Sequence, residues 1–365
     1  MRVAIIGAGP SGLACALALE QRGIAPDIFE RSYRVGLPAP AVGIMMQLFG
    51  RPERDQVRCL AEKFGLPLNP LSKLKRVVMR TSRRAVAVTG DLGYLMERGQ
   101  GPNSVEVQLA EQLRAKIKYD IQADHRTLAA EYDSVVVADG AALAARDLKV
   151  WETTVSAWVK GVVLLGRFDP GTAVLYFDTG YARHGFGFMA PFSNRRAVLM
   201  LIVPDIERTE LSTYWDRFLD REKFHPEIIE SFELHHVSGF STRQRVNNIF
   251  MVGNSGGFTD SFLGHGLFAG MSGGALAARA IAEGLDFERM VAPIMRQMAR
   301  LQIFREAFNT MDNAGIDRLV RILTLPGVAR LVYNTNVDVS SLASPFIEQY
   351  LRVKKAYRPA AKKNP

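Results

Sequence analysis

The chain opens on an apolar run, Val3-Ala-Ile-Ile6, with no polar position in it. A strand buried on both faces of a parallel sheet has this pattern. A glycine-rich turn follows, made of Gly7, Ala8, Gly9, Pro10, Ser11 and Gly12. Residues 13–21 are Ala-rich and apolar nearly all round, which predicts a buried helix stopped at Gly23. Residues 24–29 predict a second strand, ending in Glu30. Two later runs repeat the buried-strand pattern. Residues 133–138 lead into Asp139-Gly140, and residues 246–252 lead into Gly253-Asn254. The second run feeds a loop, residues 255–266, and then a small-residue helix over 267–283.

Between these segments the period changes. Val77-Val-Met and Ala85-Val-Ala-Val, then residues 159–165, 173–177 and 197–203, are short apolar or alternating runs broken by Gly, Pro, Asn and Asp. They predict an antiparallel sheet. Beyond Gly284, Met290, Ile294, Met295, Met298, Leu301, Phe304 and Phe308 recur at helical spacing with arginines between them, and residues 319–331 continue the pattern. The expected fold is α/β: a discontinuous Rossmann-like domain over 1–70, 95–148 and 244–285. An antiparallel β-sheet substrate domain takes 71–94 and 149–243. A helical C-terminal region, 286–365, ends in a basic tail.

The first turn has a chemistry of its own. Gly7 permits the tight exit from the strand, Gly9 lets backbone approach a pyrophosphate, and Gly12 lets the helix pack close to the strand. The free N–H groups and dipole of the helix N-terminus favour phosphate charge. Glu30 can accept from a ribose diol and would repel a 2′-phosphate. A dinucleotide such as FAD or NAD, rather than NADP, therefore suits the site.

Charge adds little. The net charge is +9 in 365 residues, which is compatible with an anionic cofactor, substrate or membrane surface. The basic residues are dispersed, so nucleic acid is not an expected partner. Cys15 and Cys59 are the only cysteines. They offer no metal-ligand spacing, and Cys59 falls in a predicted helix as a packed thiol. No apolar run reaches membrane-spanning length. The expected location is the cytoplasm, with peripheral membrane contact through the basic C-terminal helices.

The order of the motifs resembles the flavoprotein hydroxylase and reductase superfamily typified by para-hydroxybenzoate hydroxylase. The resemblance implies FAD. It assigns the AMP half to the first turn and the Glu30-Arg31 pair. Asp139 and Gly140 would lie near the pyrophosphate, and Gly253 and Asn254 at the ribityl chain. Arg98 would pack near the cofactor, and Asp260, Gly264, Gly266 and Leu267 would lie at the flavin end, with His265 as a loop neighbour. Two positions depart from the family pattern. Asn254 stands where Asp is usual, and Ser261 where a proline is usual.

Within that superfamily, Gly185-Phe-Gly-Phe-Met-Ala-Pro191 resembles the Tyr-x-Trp-x-Phe-Pro signature of geranylgeranyl reductases. Phe186 and Phe188, at alternate positions, share one face of a strand. Together with Pro191 they would line the substrate cavity. The resemblance implies reduction of a C=C bond in an isoprenoid or other long apolar molecule, with NAD(P)H or a redox protein as electron donor. An FAD-dependent monooxygenase of an aromatic or lipid substrate is the alternative enzyme. A non-catalytic or electron-transfer flavoprotein is the alternative from another class. No catalytic side chain is identifiable from sequence.

Overall fold

The computed structural model describes residues 1–51 and 53–356. The Lys362-Lys363 pair of the expected basic tail lies outside the described residues. In chain order the elements begin β1 (Val3–Ile6), α1 (Pro10–Glu20), β2 (Asp27–Phe29), β3 (Ala41–Met46), α2 (Gln56–Phe64), β4 (Ser72–Thr81), β5 (Ala85–Arg98) and α3 (Val105–Ala110). There follow β6 (Ile117–Lys118), α4 (His125–Glu131), β7 (Ser134–Val137), α5 (Leu143–Asp147), β8 (Trp151–Leu165), β9 (Thr172–Phe177), α6 (Thr179–Ala182), β10 (Phe186–Pro191) and β11 (Arg196–Pro204). The chain then forms α7 (Leu211–Glu222), β12 (Glu227–Ser241), β13 (Arg245–Val246), β14 (Ile249–Met251) and α8 (Leu267–Glu283). Four helices complete it: α9 (Phe287–Phe308), α10 (Asn313–Leu323), α11 (Pro326–Asn334) and α12 (Val339–Ala356).

The strands form two sheets. The first has the order β13-β14-β7-β1-β2-β6 and is parallel apart from β13. Its central strands, β1 and β7, are almost wholly buried, as their unbroken apolar runs require. The second sheet has the order β12-β8-β11-β10-β9-β4-β5-β3, with one parallel pair, β4 with β9. The chain thus has the α/β architecture read from the pattern. β3 lies inside the first dinucleotide-domain segment yet pairs with β5, Ala41 opposite Arg98. This crossing ties the first segment of the chain to the second sheet.

Two helices hold the first sheet. α1 is buried from Gly12 to Leu19 because α8 covers the side that the sheet does not. The approach is close because α8 presents glycines. A Cβ on Gly274 would collide with the Ser11 carbonyl, and one on Gly273 would meet the fully buried Phe258 ring. Ser11 lies against Gly270 and Cys15 against Ala278, so the two helices run parallel with their N-termini at one end. Both cysteine thiols are free and buried. Desolvation pushes Cys15 up to about 12 and Cys59 up to about 11, so neither is a nucleophile at neutral pH.

The second sheet has two covered faces. Tyr176, Leu199, Leu201 and Val203 face α7, which buries Leu211, Trp215 and Phe218 against them. The opposite face carries Phe177, Phe188, Ala190 and Val198, which meet Phe308 of α9 and Ile316 and Val320 of α10.

Candidate functional site

The glycine turn is built as its spacing predicts. Gly7 has φ +98°, and a Cβ there would strike the Ala138 carbonyl at the end of β7. A Cβ on Gly12 would collide with the Gly7 carbonyl, so that glycine sets the helix-to-strand distance. Gly9 differs, since a Cβ on it would meet nothing within 4 Å. Pro10 occupies the first turn of α1, where its missing N–H leaves no gap. No side chain caps α1, and no acidic residue stands in its first turn, so its N–H groups face outward uncompensated.

Glu30, at the end of β2, accepts from the Ala8 N–H at 2.8 Å and the Ser32 N–H at 2.9 Å. It braces the turn with one bond to each oxygen, and each oxygen keeps a further lone pair. Arg31, next to it, is exposed. Arg98 closes β5, and its Nε donates to Glu106 Oε1 of α3 at 2.8 Å. Glu106 is almost fully buried and holds the guanidinium at the edge of the glycine turn's domain.

The Asp139–Gly140 and Gly253–Asn254 segments are interlocked. Asp139 accepts from the backbone N–H groups of Ala141, Ala142 and Leu143, and from the Ser255 hydroxyl. Asn254 Nδ2 donates to the Gly140 carbonyl at 2.8 Å and the Val237 carbonyl at 2.7 Å. Its Oδ1 is buried and has no partner among the described residues. Gly140, at φ +69°, faces space in which a Cβ would meet nothing within 4 Å. Gly253, at φ +61°, packs on the Ser11 side chain, which brings this loop against the start of α1.

Asp260 proves to be the organiser of the next loop. It is 1 % exposed. Its oxygens accept from the N–H groups of Phe262, Leu263 and His265 at 2.6–2.8 Å. The His265 ring stacks on Phe49, centroids 4.5 Å apart. Gly264, at φ +78°, again faces open space, and Gly266 and Leu267 begin α8 with no capping side chain or first-turn acid.

The expected substrate-lining residues lie on β10. Phe188 and Pro191 are buried and Phe186 is partly exposed. Phe186 shares its face with Ile202 and Met200 of β11 and Phe232 of β12, all partly exposed. Phe262 and Leu263, from the loop that Asp260 organises, pack against the same cluster. An apolar wall therefore adjoins the Gly264 end of the glycine-rich loop. Polar groups at its margin were not apparent from motifs. The imidazoles of His184 and His236 are both pushed below the usual value, chiefly by burial, with a neighbouring charge adding to the shift. Arg305 of α9 is buried beside His184. The readable signal for Arg305 was its place on the buried stripe of Met298, Leu301 and Phe308.

The family model of the NAD(P)-binding Rossmann-like domain matches residues 5–41. No curated protein matches the sequence. Among solved structures, a geranylgeranyl bacteriochlorophyll reductase-like protein from Thermoplasma acidophilum is similar, with 16% identity and a TM-score of 0.72 over 96% of this chain and 98% of that one. The flavin-dependent brominase Bmp2 gives 15% identity and a TM-score of 0.67 over 98% and 100%. The 2-methyl-3-hydroxypyridine-5-carboxylic acid oxygenase gives 15% and 0.54 over 91% and 95%. At these identities the likeness is one of architecture, and the chain has the fold that these reductase-like and flavin-dependent proteins share.

Proposed function

We propose that the chain is an FAD-dependent oxidoreductase. The observation that carries this reading is Asn254 Oδ1, a shielded acceptor left without a partner where the Gly253 loop meets the start of α1. An unpaired buried acceptor costs about 1–3 kcal/mol, which a ribityl hydroxyl would recover. The open space before Gly9, Gly140 and Gly264 supports the same reading, because backbone can there come close to a pyrophosphate and a flat ring. Gly7 to Gly12 would hold the AMP half, with the free lone pairs of Glu30 for its ribose and Arg31 beside it. Arg98 and Asp139 would act by fixing the surrounding backbone. The N-terminus of α8, at Gly266 and Leu267, offers a positive end to the pyrimidine side of the ring. FAD, when bound, supplies two-electron chemistry. The chain's own part is to bind it, to aim the substrate and to exclude water.

The reaction we infer is reduction of a C=C bond in an isoprenoid or other long apolar substrate, with NAD(P)H or a redox protein as donor. The wall of Phe186, Met200, Ile202 and Phe232 supports an apolar occupant. Phe186, Phe188 and Pro191 would position the double bond. The aromatic share of that wall, and the likeness to an oxygenase, favour a monooxygenase of an aromatic or lipid substrate as the second reading. Peripheral membrane contact belongs to the same proposal, through the exposed apolar stripe of α12.

The visible spectrum of the purified protein tests the cofactor. A yellow protein is expected, and a colourless one that FAD cannot reconstitute overturns the reading. Dithionite-reduced protein, held without oxygen, should saturate prenyl lipids by two hydrogens per bond, read by mass. Substrate-stimulated NAD(P)H oxidation with oxygen uptake would select the monooxygenase. Rapid reduction by a protein donor without turnover would select electron transfer.

A further inference from the structure

Arg305 is 6 % exposed, and its Nε is fully shielded with no hydrogen-bond partner among the described residues. Arg51, buried to the same degree, shows the contrast, since it donates to the carbonyls of Val332 and Val337. With Nε shielded and orphaned and the charge met only through space, the Arg305 guanidinium gains by pairing its terminal nitrogens with an anion that is not part of the chain. Asp205 and Asp260 favour its charge only through space. The Asp260 oxygens are already committed to the backbone of its own loop.

The surroundings define the occupant. On α9 the neighbouring Phe304 and Phe308 rings both pack on Phe262, and Phe308 also meets Phe177. Phe177 in turn meets Phe186 at the apolar wall. His184, two residues before that strand, has an unpaired Nδ1, and burial pushes its imidazole below the usual value. We propose that Arg305 binds the carboxylate of the substrate, whose apolar body lies along Phe186, Ile202 and Met200. A planar carboxylate matches the two terminal nitrogens of one guanidinium. A phosphate carries nearly two charges and would be repelled the more strongly by Asp205 and Asp260, while Arg183, the other cation near His184, is engaged with the Asp205 carbonyl. The inference narrows the substrate of the proposed oxidoreductase to an apolar acid, and it rests on that reading only for what is done to the acid.

The test is calorimetric titration of the full chain with decanoate, geranate and 4-phenylbutyrate, each against its amide. The wild type should bind at least one acid tenfold or more tighter than the matched amide. Arg305→Met should abolish the preference while leaving amide affinity unchanged, and Arg305→Lys should keep a reduced preference. Because Arg305→Met removes an unpaired buried charge, its melting temperature should equal or exceed that of the wild type. Equal binding of acid and amide by the wild type overturns the proposal, as does binding of neither. A preference that survives in Arg305→Met also overturns it. If that variant does not fold, the wild-type comparison and Arg305→Lys decide. Failure of the flavin reading would register separately, as a colourless protein with the acid preference intact.

Discussion

Asn254 makes two donations that a carboxylate could not. The carbonyls of Gly140 and Val237 both point at its amide nitrogen. Asn254→Asp would set a negative charge against two carbonyl oxygens and strand both, at about 1–3 kcal/mol for each buried group. The variant should melt lower than the wild type without cofactor, and FAD should bind it more weakly in a fluorescence titration. Unchanged melting would sink the assignment of that amide. The residue type was visible in the sequence, but its purpose was not, because the two carbonyls lie 114 and 17 positions away. The glycines were more legible, since each role is a local steric one. Gly12→Ala must displace the Gly7 carbonyl and should destabilise the fold. Gly9→Ala meets nothing within 4 Å among the described residues and adopts an ordinary extended backbone. It should melt like the wild type yet lose FAD, whose phosphates would need that space. Equal FAD affinity in Gly9→Ala would place the pyrophosphate elsewhere.

At the scale of elements, α10 is tied to the second sheet by one buried carboxylate. Asp317 accepts from Arg84 Nε and Nη2 at 2.7 and 2.8 Å and from the Thr81 hydroxyl at 2.8 Å. The bidentate Arg84 contact holds its carboxyl below the usual range. The unfolded chain therefore binds this proton more readily than the folded one. The stabilisation is complete above the unfolded carboxyl value, about 3.9, and is lost as pH falls through the folded value. Asp317→Asn should lower the melting temperature at neutral pH, and the gap to the wild type should close in acid. A gap that stays constant down to pH 2 (on the order of the lowest folded values) would show that the pair does not carry the contact. Elements differed in legibility for a physical reason. β1, β7 and α8 are buried on nearly all sides and show it in composition. α7 carries Leu211, Trp215 and Phe218 at helical spacing, yet no helix was expected within 149–243, because three apolar positions are too few to stand out among charged residues. β12 is one of the two edge strands of the second sheet, with Glu227 to Ser231 all exposed, so no alternation marks its start.

For the whole molecule, the pattern of uninterrupted apolar runs was enough to place the parallel sheet, whereas the sheet-to-helix contacts were beyond it. They depend on C-terminal helices returning over strands far back in the chain, as Phe308 does over Phe177. Part of the apolar surface of α12 is left uncovered by the described residues. Leu342, Phe346, Tyr350 and Val353 of α12 are 50–76 % exposed and recur at helical spacing. Arg352 and Lys354 stand in the same turn as Val353. No helix among the described residues is long and apolar enough to cross a membrane. A stripe of this kind, flanked by basic residues in a chain of net charge +9, suits the surface of an anionic bilayer. Burying one phenylalanine contributes about 1.5–3 kcal/mol, so Phe346→Ser should weaken partition roughly tenfold or more. Sedimentation with vesicles of phosphatidylglycerol and phosphatidylcholine should show binding that falls with salt and with that substitution, and little binding to phosphatidylcholine alone. If vesicles of either kind leave the protein in solution, while Phe346→Ser dissolves a dimer seen by light scattering, the stripe instead joins two copies of the chain.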